Sequence, residues 1–193
     1  GENYNVAPTN DVYGVVADSS GRREVQAFQW GLLPVWAKDR KIGSKMINAR
    51  SETIAEKPAF KGVFKKHRCI IPMDGFYEWA AGVDGGPVTK AGKLAKRPHF
   101  IHRVDGRPLA VAGIWSAWRD RAAGENAPWL HTTSVITTSA NATMAPIHDR
   151  MPVILPTAMW DVWLDPTNHN TAMLSGLLVP ARDDLLTMHE VST

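Results

Sequence analysis

The sequence predicts an α+β protein that is built mainly on antiparallel β-sheet and carries a few peripheral helices. The chain has 193 residues, of which 44% are hydrophobic and 21% charged, as expected of a single globular domain over residues 1–193. Short runs rich in β-branched and aromatic residues outnumber the helical patterns. The two kinds of pattern do not alternate along the chain, as they would in a parallel α/β sheet.

Seven segments have the composition of short strands and are bounded by turn residues. They are Glu24–Leu33, Cys69–Ile71, Gly75–Ala80, His99–Val104, Leu109–Trp118, Ser134–Thr138 and Met151–Leu155. Residues 80–96, which separate the third of these from the fourth, are rich in Gly, Ala and Lys and have no apolar period. This stretch predicts a long surface loop inside a hairpin.

Four segments have helical patterns, and each is short. They are Ser51–Glu56, Ala59–His67, Pro156–Leu164 and Thr171–Leu178. Ser51 is a candidate N-cap, and Pro156 has the fixed φ that suits the start of a helix. Because these segments are few and short, we expect the helices to cover a sheet rather than to form the fold.

Composition excludes several classes of protein. The longest apolar runs, such as Leu109–Trp115, are far shorter than the ~20 residues that a membrane-spanning helix needs. The chain opens without a basic and apolar leader, so we expect no signal peptide. Cys69 is the single cysteine. One thiol can form neither an internal disulfide nor a structural zinc site, which favours a cytoplasmic location.

Charge and aromatic content permit a nucleic-acid partner. Lys and Arg number 22 against 19 Asp and Glu, which gives a net charge of +3. This excess is compatible with binding to a polyanion but does not require it. The chain has 8 Trp against 5 Phe and 3 Tyr. Trp stacks well on unpaired bases, although a Trp-rich core is the alternative explanation.

Four short boxes place polar groups among large apolar residues. They are YNVAP at Tyr4–Pro8, INARSE at Ile47–Glu52, DGFYEW at Asp74–Trp79 and PIHDRMP at Pro146–Pro152. Burial of such groups without partners costs several kcal/mol. We therefore expect these groups either to satisfy one another or to form a site.

Glu78 is the candidate acid or base of the third box. Strand alternation places Phe76 and Glu78 on one face and Tyr77 and Trp79 on the other. A carboxylate beside a large apolar ring is poorly solvated, which is the setting of a general acid or base that works near neutral pH. The alternative is a structural Glu, either solvated or paired with Arg50.

His148 and two arginines are the candidates of the remaining boxes. His148 lies between two prolines that stiffen its segment, and imidazole exchanges protons near neutrality. The alternative is a structural His bonded to the backbone. Arg50 and Arg150 carry guanidinium forks that match phosphate oxygens. The basic run Lys61–Arg68 is better explained as a solvated helix face.

Familiar cofactor and hydrolase motifs do not occur in the sequence. It contains no GxGxxG, P-loop, HExxH or GxSxG pattern and no set of His, Asp and Glu with metal-ligand spacing. No cofactor or metal is therefore predicted. Cys69 lies in the apolar segment RCIIP, which is typical of a buried core thiol rather than a nucleophile.

The boxes, taken in order, resemble those of the SRAP family of abasic-site-processing proteins. The similar segments cover nearly the whole chain. They are YNVAPT, WGLLPVWAKD, INARSET, KPAF, RCIIPMDGFYEW, PHFI, LAVAGIW, VITTSAN and APIHDRMPVIL. The resemblance implies a barrel-like core and a protein that recognises abasic sites in single-stranded DNA. It also implies that an N-terminal Cys, exposed after removal of the residues ahead of it, joins the ring-opened sugar as a thiazolidine.

The resemblance also assigns roles to the residues of the boxes. Asn48 would orient the reacting amine or sugar, Glu78 would act as acid and base, and His148 would protonate the sugar ring oxygen. The residues expected to contact DNA are Asn5, Trp36, Arg50, Trp79 and Arg150. The expected partner is single-stranded DNA, bound by a monomer in the cytoplasm and at the nucleoid.

The start of the sequence departs from the family pattern. The family begins Met-Cys-Gly-Arg, whereas this sequence has Gly1, and its first box begins at Tyr4. Cys69 has no free α-amine and cannot close a thiazolidine. Either the native protein carries residues ahead of Gly1, or this member has lost the nucleophile and only binds DNA. The presence of Asn48, Glu78 and His148 together favours the first explanation.

Overall fold

The computed structural model describes residues 3–124 and 126–192, and these residues form ten strands and three short α-helices. The helices are α1 (Lys61–Lys66), α2 (Trp160–Leu164) and α3 (Thr171–Gly176). The strands are β1 (Asp11–Ala17), β2 (Arg23–Trp30), β3 (Asn48–Arg50), β4 (Arg68–Met73), β5 (Gly75–Ala80), β6 (Arg97–Arg103), β7 (Leu109–Trp118), β8 (Leu130–Ser139), β9 (Arg150–Pro152) and β10 (Leu186–Glu190).

The larger sheet closes on itself as a barrel. Its strands follow the order β2-β1-β4-β7-β8-β3, and β9 pairs with β8. Gln29 and Trp30 of β2 also pair in parallel with Thr132 and Thr133 of β8. This pairing closes the series β2-β1-β4-β7-β8 into a ring of five strands. The other pairings in the series are antiparallel. The predicted α+β class with a barrel-like core is confirmed.

A smaller antiparallel sheet, in the order β10-β6-β5, packs beside the barrel. β5 follows β4 after a single intervening residue, Asp74, and pairs with β6 across the long loop predicted for residues 80–96. Phe76 of β5 and Met188 of β10 pack against a buried cluster that also contains barrel residues such as Phe28 and Val135. The smaller sheet is therefore attached to the barrel through a shared core.

Each face of the barrel sheet buries its own cluster of apolar side chains, because alternate residues of a strand point to opposite faces. In β7, Ala112 and Ile114 belong to the cluster that the helices cover, whereas Val111 belongs to the cluster shared with the smaller sheet. Trp163 of α2 is fully buried in the first cluster, and its Nε1 donates to the carbonyl of Cys69 at 2.9 Å.

Two glycines let the second cluster pack closely. A Cβ at Gly113 would lie 2.8 Å from Sγ of Cys69, and one at Gly14 would lie 2.9 Å from the ring of Phe28. Both distances are shorter than real Cβ contacts. Hydrogen is therefore the only side chain that these positions accept without displacing their neighbours.

Arg68 is a buried cation that ties the helices to the barrel. Its Nε donates to the carbonyl of Trp163 at 2.7 Å, and its Nη1 donates to that of Lys65 at 2.7 Å. Its guanidinium also reaches the carbonyls of Phe64, Asp165 and Asn168. Burial lowers the pKa of Arg68 to about 10, so the side chain remains charged at neutral pH. The carbonyl dipoles replace the water that the cation loses.

The predicted elements match the structure in most places and fail in four. β1, β3 and β10 were not predicted, and residues 51–56 form turns rather than the expected helix. The turn at Ser51 begins where its N–H donates to Thr137 of β8, which ties the backbone to the sheet edge. None of the helices in the described ranges has the length and apolar character needed to cross a membrane.

Candidate functional site

The second and fourth boxes meet at one end of β8. Asn48 and Arg50 of β3 lie opposite Val135 and Thr137, and Arg150 of β9 lies opposite Ser139. The three partners in β8 are two residues apart, so they face the same side of the sheet. Asn48, Arg50 and Arg150 therefore share one face, although 100 residues of sequence separate the two arginines.

The backbone of β3 is held from both sides. Ala49 points away from this face and is fully buried in the helix-covered cluster. On the other side, Nε1 of Trp30 donates to the carbonyl of Ile47 at 3.0 Å. Asn48 and Arg50 are themselves exposed. A rigid backbone thus presents an amide and a guanidinium to solvent, as a preformed binding site requires.

Arg150 is fixed by a two-pronged ion pair. Its Nη1 and Nη2 contact the two carboxylate oxygens of Glu52 at 2.7 and 2.9 Å, and Nη2 also donates to the carbonyl of Thr137 at 2.7 Å. The hydrogen bonds from Arg150 hold the pKa of Glu52 below its usual range. Glu52 belongs to the INARSE box, but its pairing with Arg150 was not predicted, because nothing local links residues 98 positions apart.

Replacing Glu52 with glutamine tests this ion pair. The pKa of Glu52 is depressed in the folded state, so the pair stabilises the protein above the unfolded-state pKa of about 4.3 and ceases to do so as pH falls through the folded-state value. Half of the Glu52 side chain is exposed, so we expect Glu52→Gln to cost only about 1 kcal/mol at pH 7.

Urea unfolding of the wild type and of Glu52→Gln at pH 7 and at pH 3 measures this difference. The gap in the free energy of unfolding should be present at pH 7 and smaller at pH 3. An equal gap at both pH values would contradict the electrostatic account. Glu24→Gln is the matched control, because Glu24 is an exposed carboxylate on β2 that accepts from Gln26 rather than from an arginine.

His148 lies beside Arg150 and has two alternative partners at Nδ1. The backbone N–H of Arg150 donates to this nitrogen at 2.9 Å, and Oδ1 of Asp149 lies 3.2 Å from it. The first contact requires an unprotonated Nδ1, whereas the second suits an imidazolium. The ring is partly exposed. His148 therefore has a partner for its neutral form and another for its charged form.

Glu78 lies on the smaller sheet, and its strand alternates as predicted. Phe76 packs against the cluster shared with the barrel. Tyr77 faces the opposite side, and the centre of its ring lies 5.2 Å from that of Phe100. Glu78 is half-buried and pairs in register with His99. Within the described residues it forms no ion pair with Arg50, the alternative considered from sequence.

The first box runs between the smaller sheet and the barrel. Oη of Tyr77 donates to the carbonyl of Tyr4 at 3.0 Å, and the N–H of Thr9 donates to the carbonyl of Trp30 at 2.8 Å. Asn5 lies between these two attachments and is exposed. The segment therefore connects β5 to the end of β2, where Trp30 also holds the backbone of β3.

The two tryptophans predicted to contact DNA lie in different regions. Trp79 is 48% exposed near the end of β5. Trp36 is 54% exposed in the loop after β2, next to Ala37, whose carbonyl accepts from Nε1 of Trp118 at 2.8 Å. Trp118 pairs with Leu130 at the beginning of β8, whereas Asn48, Arg50 and Arg150 lie near its other end. Membership of Trp36 in the same channel stays a prediction.

Cys69 is unsuited to nucleophilic chemistry. The residue is fully buried, its Sγ lies 3.5 Å from Oγ1 of Thr133, and burial raises the pKa of the thiol to about 12. A thiol with this pKa is protonated at neutral pH, and the thiolate is the reactive form. The structure agrees with the sequence-based interpretation of Cys69 as a core residue.

Comparison with known proteins shows similarity over the whole chain. The family model described as SOS response associated peptidase (SRAP) matches residues 1–193. The abasic site processing protein YoaM of Bacillus subtilis is 41% identical over 190 residues, which cover 98% of this chain and 78% of that protein. The abasic site processing protein HMCES of Xenopus tropicalis is 35% identical over 189 residues, which cover 92% of this chain and 55% of that protein.

Solved structures agree with the sequence comparison. A crystal structure of a protein from Bacteroides thetaiotaomicron superposes with a TM-score of 0.78 at 30% identity, covering 94% of this chain and 74% of that one. A second, from Bordetella bronchiseptica, has a TM-score of 0.77 at 28% identity and covers 97% and 87%. The boxes, the closed barrel and these matches lead to one conclusion: the chain belongs to the SRAP family.

Proposed function

We propose that the full-length protein processes abasic sites in single-stranded DNA by forming a covalent DNA–protein cross-link. The observation that carries the proposal is the register that places Asn48, Arg50 and Arg150 on one face, with His148 beside them. The buried cluster on this side of the sheet contains Val135, and Phe76 of β5 packs against it. Glu78 lies two residues after Phe76 and shares its face of β5. Relatives named abasic site processing proteins support the same assignment.

Opening of the sugar is the step assigned to His148. An abasic deoxyribose is a cyclic hemiacetal, and a proton delivered to its ring oxygen promotes opening to the aldehyde. An imidazolium at His148 supplies this proton through Nε2, while Nδ1 donates to the carboxylate of Asp149. Nδ1 keeps its own proton during this transfer. After that proton passes to solvent and Nε2 is protonated again, Nδ1 accepts from the N–H of Arg150. The two partners thus accommodate both protonation states of the ring.

Condensation is the step assigned to Asn48 and Glu78. The α-amine of an N-terminal cysteine attacks the aldehyde carbon and forms an imine with release of one water. The thiol then adds to the imine carbon, its proton passes to the nitrogen, and a thiazolidine ring closes. Glu78 takes a proton from the amine and returns it to the departing hydroxyl, and Asn48 holds the reacting groups by hydrogen bonds. The cysteine belongs to the N-terminus of the full-length protein, because only there are thiol and α-amine on one residue.

DNA contacts surround this chemistry. Arg50 is exposed and is suited to hold a phosphate, and Trp79 provides a surface for stacking an unpaired base. Arg150 already contacts Glu52 through both terminal nitrogens. Its guanidinium therefore attracts a DNA phosphate while it stays paired with Glu52, and its backbone N–H positions the ring of His148. Asn5 lies on the segment that reaches toward β5 and completes the edge of the site.

Peptidase activity in this proposal is limited to self-processing. Removal of the residues ahead of the cysteine exposes its α-amine, which the thiazolidine requires. The groups that move protons during condensation, Glu78 and His148, are also those that could assist hydrolysis of one peptide bond at the N-terminus. We do not extend this activity to other proteins, since the chain has no nucleophile–base–acid triad pattern in its sequence.

A denaturing gel tests the proposed function. Full-length protein is incubated with a labelled single-stranded oligonucleotide that carries one abasic site, and with the undamaged parent as control. We expect a slowly migrating band that survives denaturation with the abasic strand alone. A band in a native gel with both strands, and none under denaturing conditions, would replace this proposal with a non-covalent single-strand-binding module.

A further inference from the structure

A groove of about 480 Å³ lies at the opposite end of β8 from the candidate site, and the mechanism above does not use it. We call it the aromatic groove, and its lining includes Trp36, His67, Ser116, Arg121 and Trp129. Its volume falls within the ~300–1,000 Å³ typical of pockets for small ligands. β8 spans ten residues, so about 30 Å separates the two ends of the strand.

Two tryptophans of the aromatic groove are unusually exposed. Trp36 is 54% and Trp129 is 61% exposed, and the guanidinium of Arg119 lies 5.1 Å from the centre of the Trp129 ring. Large aromatic side chains are seldom left in water without a reason. Exposed indole rings beside guanidinium groups are typical of surfaces on which unpaired bases stack.

Polar atoms without partners lie in the lining between these rings. Ser116 is only 1% exposed, and its Oγ has no hydrogen-bond partner within residues 3–124 and 126–192. The same holds for Nδ1 of His67, whose ring stacks on that of Trp115 at 4.5 Å. Burial, together with the charges of Lys66 and Arg68, lowers the pKa of His67. Both atoms are shielded from solvent, so they are unsatisfied polar groups beneath the surface of the groove rather than contacts on its open face.

The charge around the aromatic groove favours an anionic ligand. Arg121 lines it, and the exposed lysines of α1 (Lys61, Lys65 and Lys66) lie on the helix that contributes one of its walls. None of the described lining residues is a carboxylate. Asp120, next to Arg121, is used as a cap and accepts from the N–H of Ala122.

We propose that the aromatic groove binds an unpaired base of single-stranded DNA, together with its phosphate, away from the abasic nucleotide. The indole rings of Trp36 and Trp129 stack on the base, and Arg121 contacts the phosphate. This inference rests on the proposed function, because it assumes that the protein holds a single strand. The groove would lengthen the bound strand and add affinity that does not depend on the lesion.

Fluorescence anisotropy with undamaged single-stranded DNA of two lengths tests the inference. At the stacked spacing of 3.4 Å per nucleotide, about 30 Å corresponds to about nine nucleotides, so a strand of about 20 reaches both ends of β8 and one of about 4 does not. We expect Trp129→Ala to weaken binding of the long strand about tenfold and to leave the short strand unaffected. Tyr13→Ala, which removes an exposed ring from β1, is the matched control and should change neither.

A second variant examines the phosphate contact. Arg121→Ala should make the salt dependence of long-strand binding shallower by about 0.7 in log–log slope. If the wild type binds the long strand and Trp129→Ala binds it equally well, the proposal for the aromatic groove is wrong and the proposed function is unaffected. A wild type that binds neither strand would overturn the proposed function together with it. Trp129 and Arg121 are both exposed, so we expect both variants to fold, and circular dichroism checks this.

Discussion

Replacing His148 with alanine is expected to slow cross-linking to an abasic strand by roughly 10²–10⁴-fold, the usual contribution of a positioned general acid. In the proposed function the imidazole supplies the proton that opens the sugar. Binding of an undamaged single strand should be largely retained, because the proposal assigns the contacts to phosphate and base to Arg50 and Trp79. Single-turnover gel kinetics on the full-length protein measures the rate, and anisotropy measures the binding.

Two comparisons separate chemistry from structure at this position. His169→Ala is the matched control, because His169 is an exposed histidine outside the four boxes, and its Nε2 lies 3.1 Å from the carbonyl of Pro166. It should leave the rate unchanged. Equal loss of cross-linking and of DNA binding in His148→Ala would show that His148 is a structural residue, contrary to the role assigned to it.

Replacing Arg68 with methionine is expected to lower the free energy of unfolding by about 3–5 kcal/mol, because several buried carbonyls lose a donor and each one left unsatisfied costs about 1–3 kcal/mol. The guanidinium donates to five carbonyls from the ends of α1 and α2 and the following turn. Methionine fills similar space but donates nothing, so these carbonyls lose the guanidinium as a donor. Urea unfolding followed by tryptophan fluorescence reports the change, since Trp163 packs beside the guanidinium.

Arg22→Met is the control for this effect. The Arg22 side chain is largely exposed and pairs with Asp18 at 3.3 Å, so its loss should cost far less than the loss of Arg68. If Arg68→Met lowers the free energy of unfolding as little as the control does, water must satisfy the carbonyls as well as the guanidinium does. The account of Arg68 as the tie between helices and barrel would then be wrong.

Local pattern was sufficient for most of the fold. Segments such as Leu109–Trp118 and Gly75–Ala80 combine β-branched or aromatic residues with turn residues at both ends, and both are strands with those bounds. β10 was missed because its alternation is short: Leu186 and Met188 are its only two apolar residues, and the strand spans five residues near the end of the sequence. The barrel-like core was implied by the family resemblance alone. Local pattern does not show its closure, which pairs Gln29 with Thr132 across a long stretch of chain.

The residues of the candidate site were also predicted only in part. Polar residues in apolar boxes indicated Asn48, Arg50, His148 and Arg150, and the register of β8 brings these four together. The partner of Arg150 could not be predicted, because any of several nearby carboxylates fits an arginine equally well in sequence. The groove around Trp129 was missed for a related reason: residues from separate segments build it, and no single segment carries its pattern.

The central claim is that these boxes surround an abasic sugar and join it to an N-terminal cysteine. Intact-mass and peptide mass spectrometry of the full-length protein, incubated with an abasic single strand and no reductant, tests it directly. The account predicts a mass equal to protein plus oligonucleotide minus one water, with the adduct on the N-terminal peptide. An adduct that forms only after borohydride reduction and maps to an internal lysine, or no adduct at all, would contradict it.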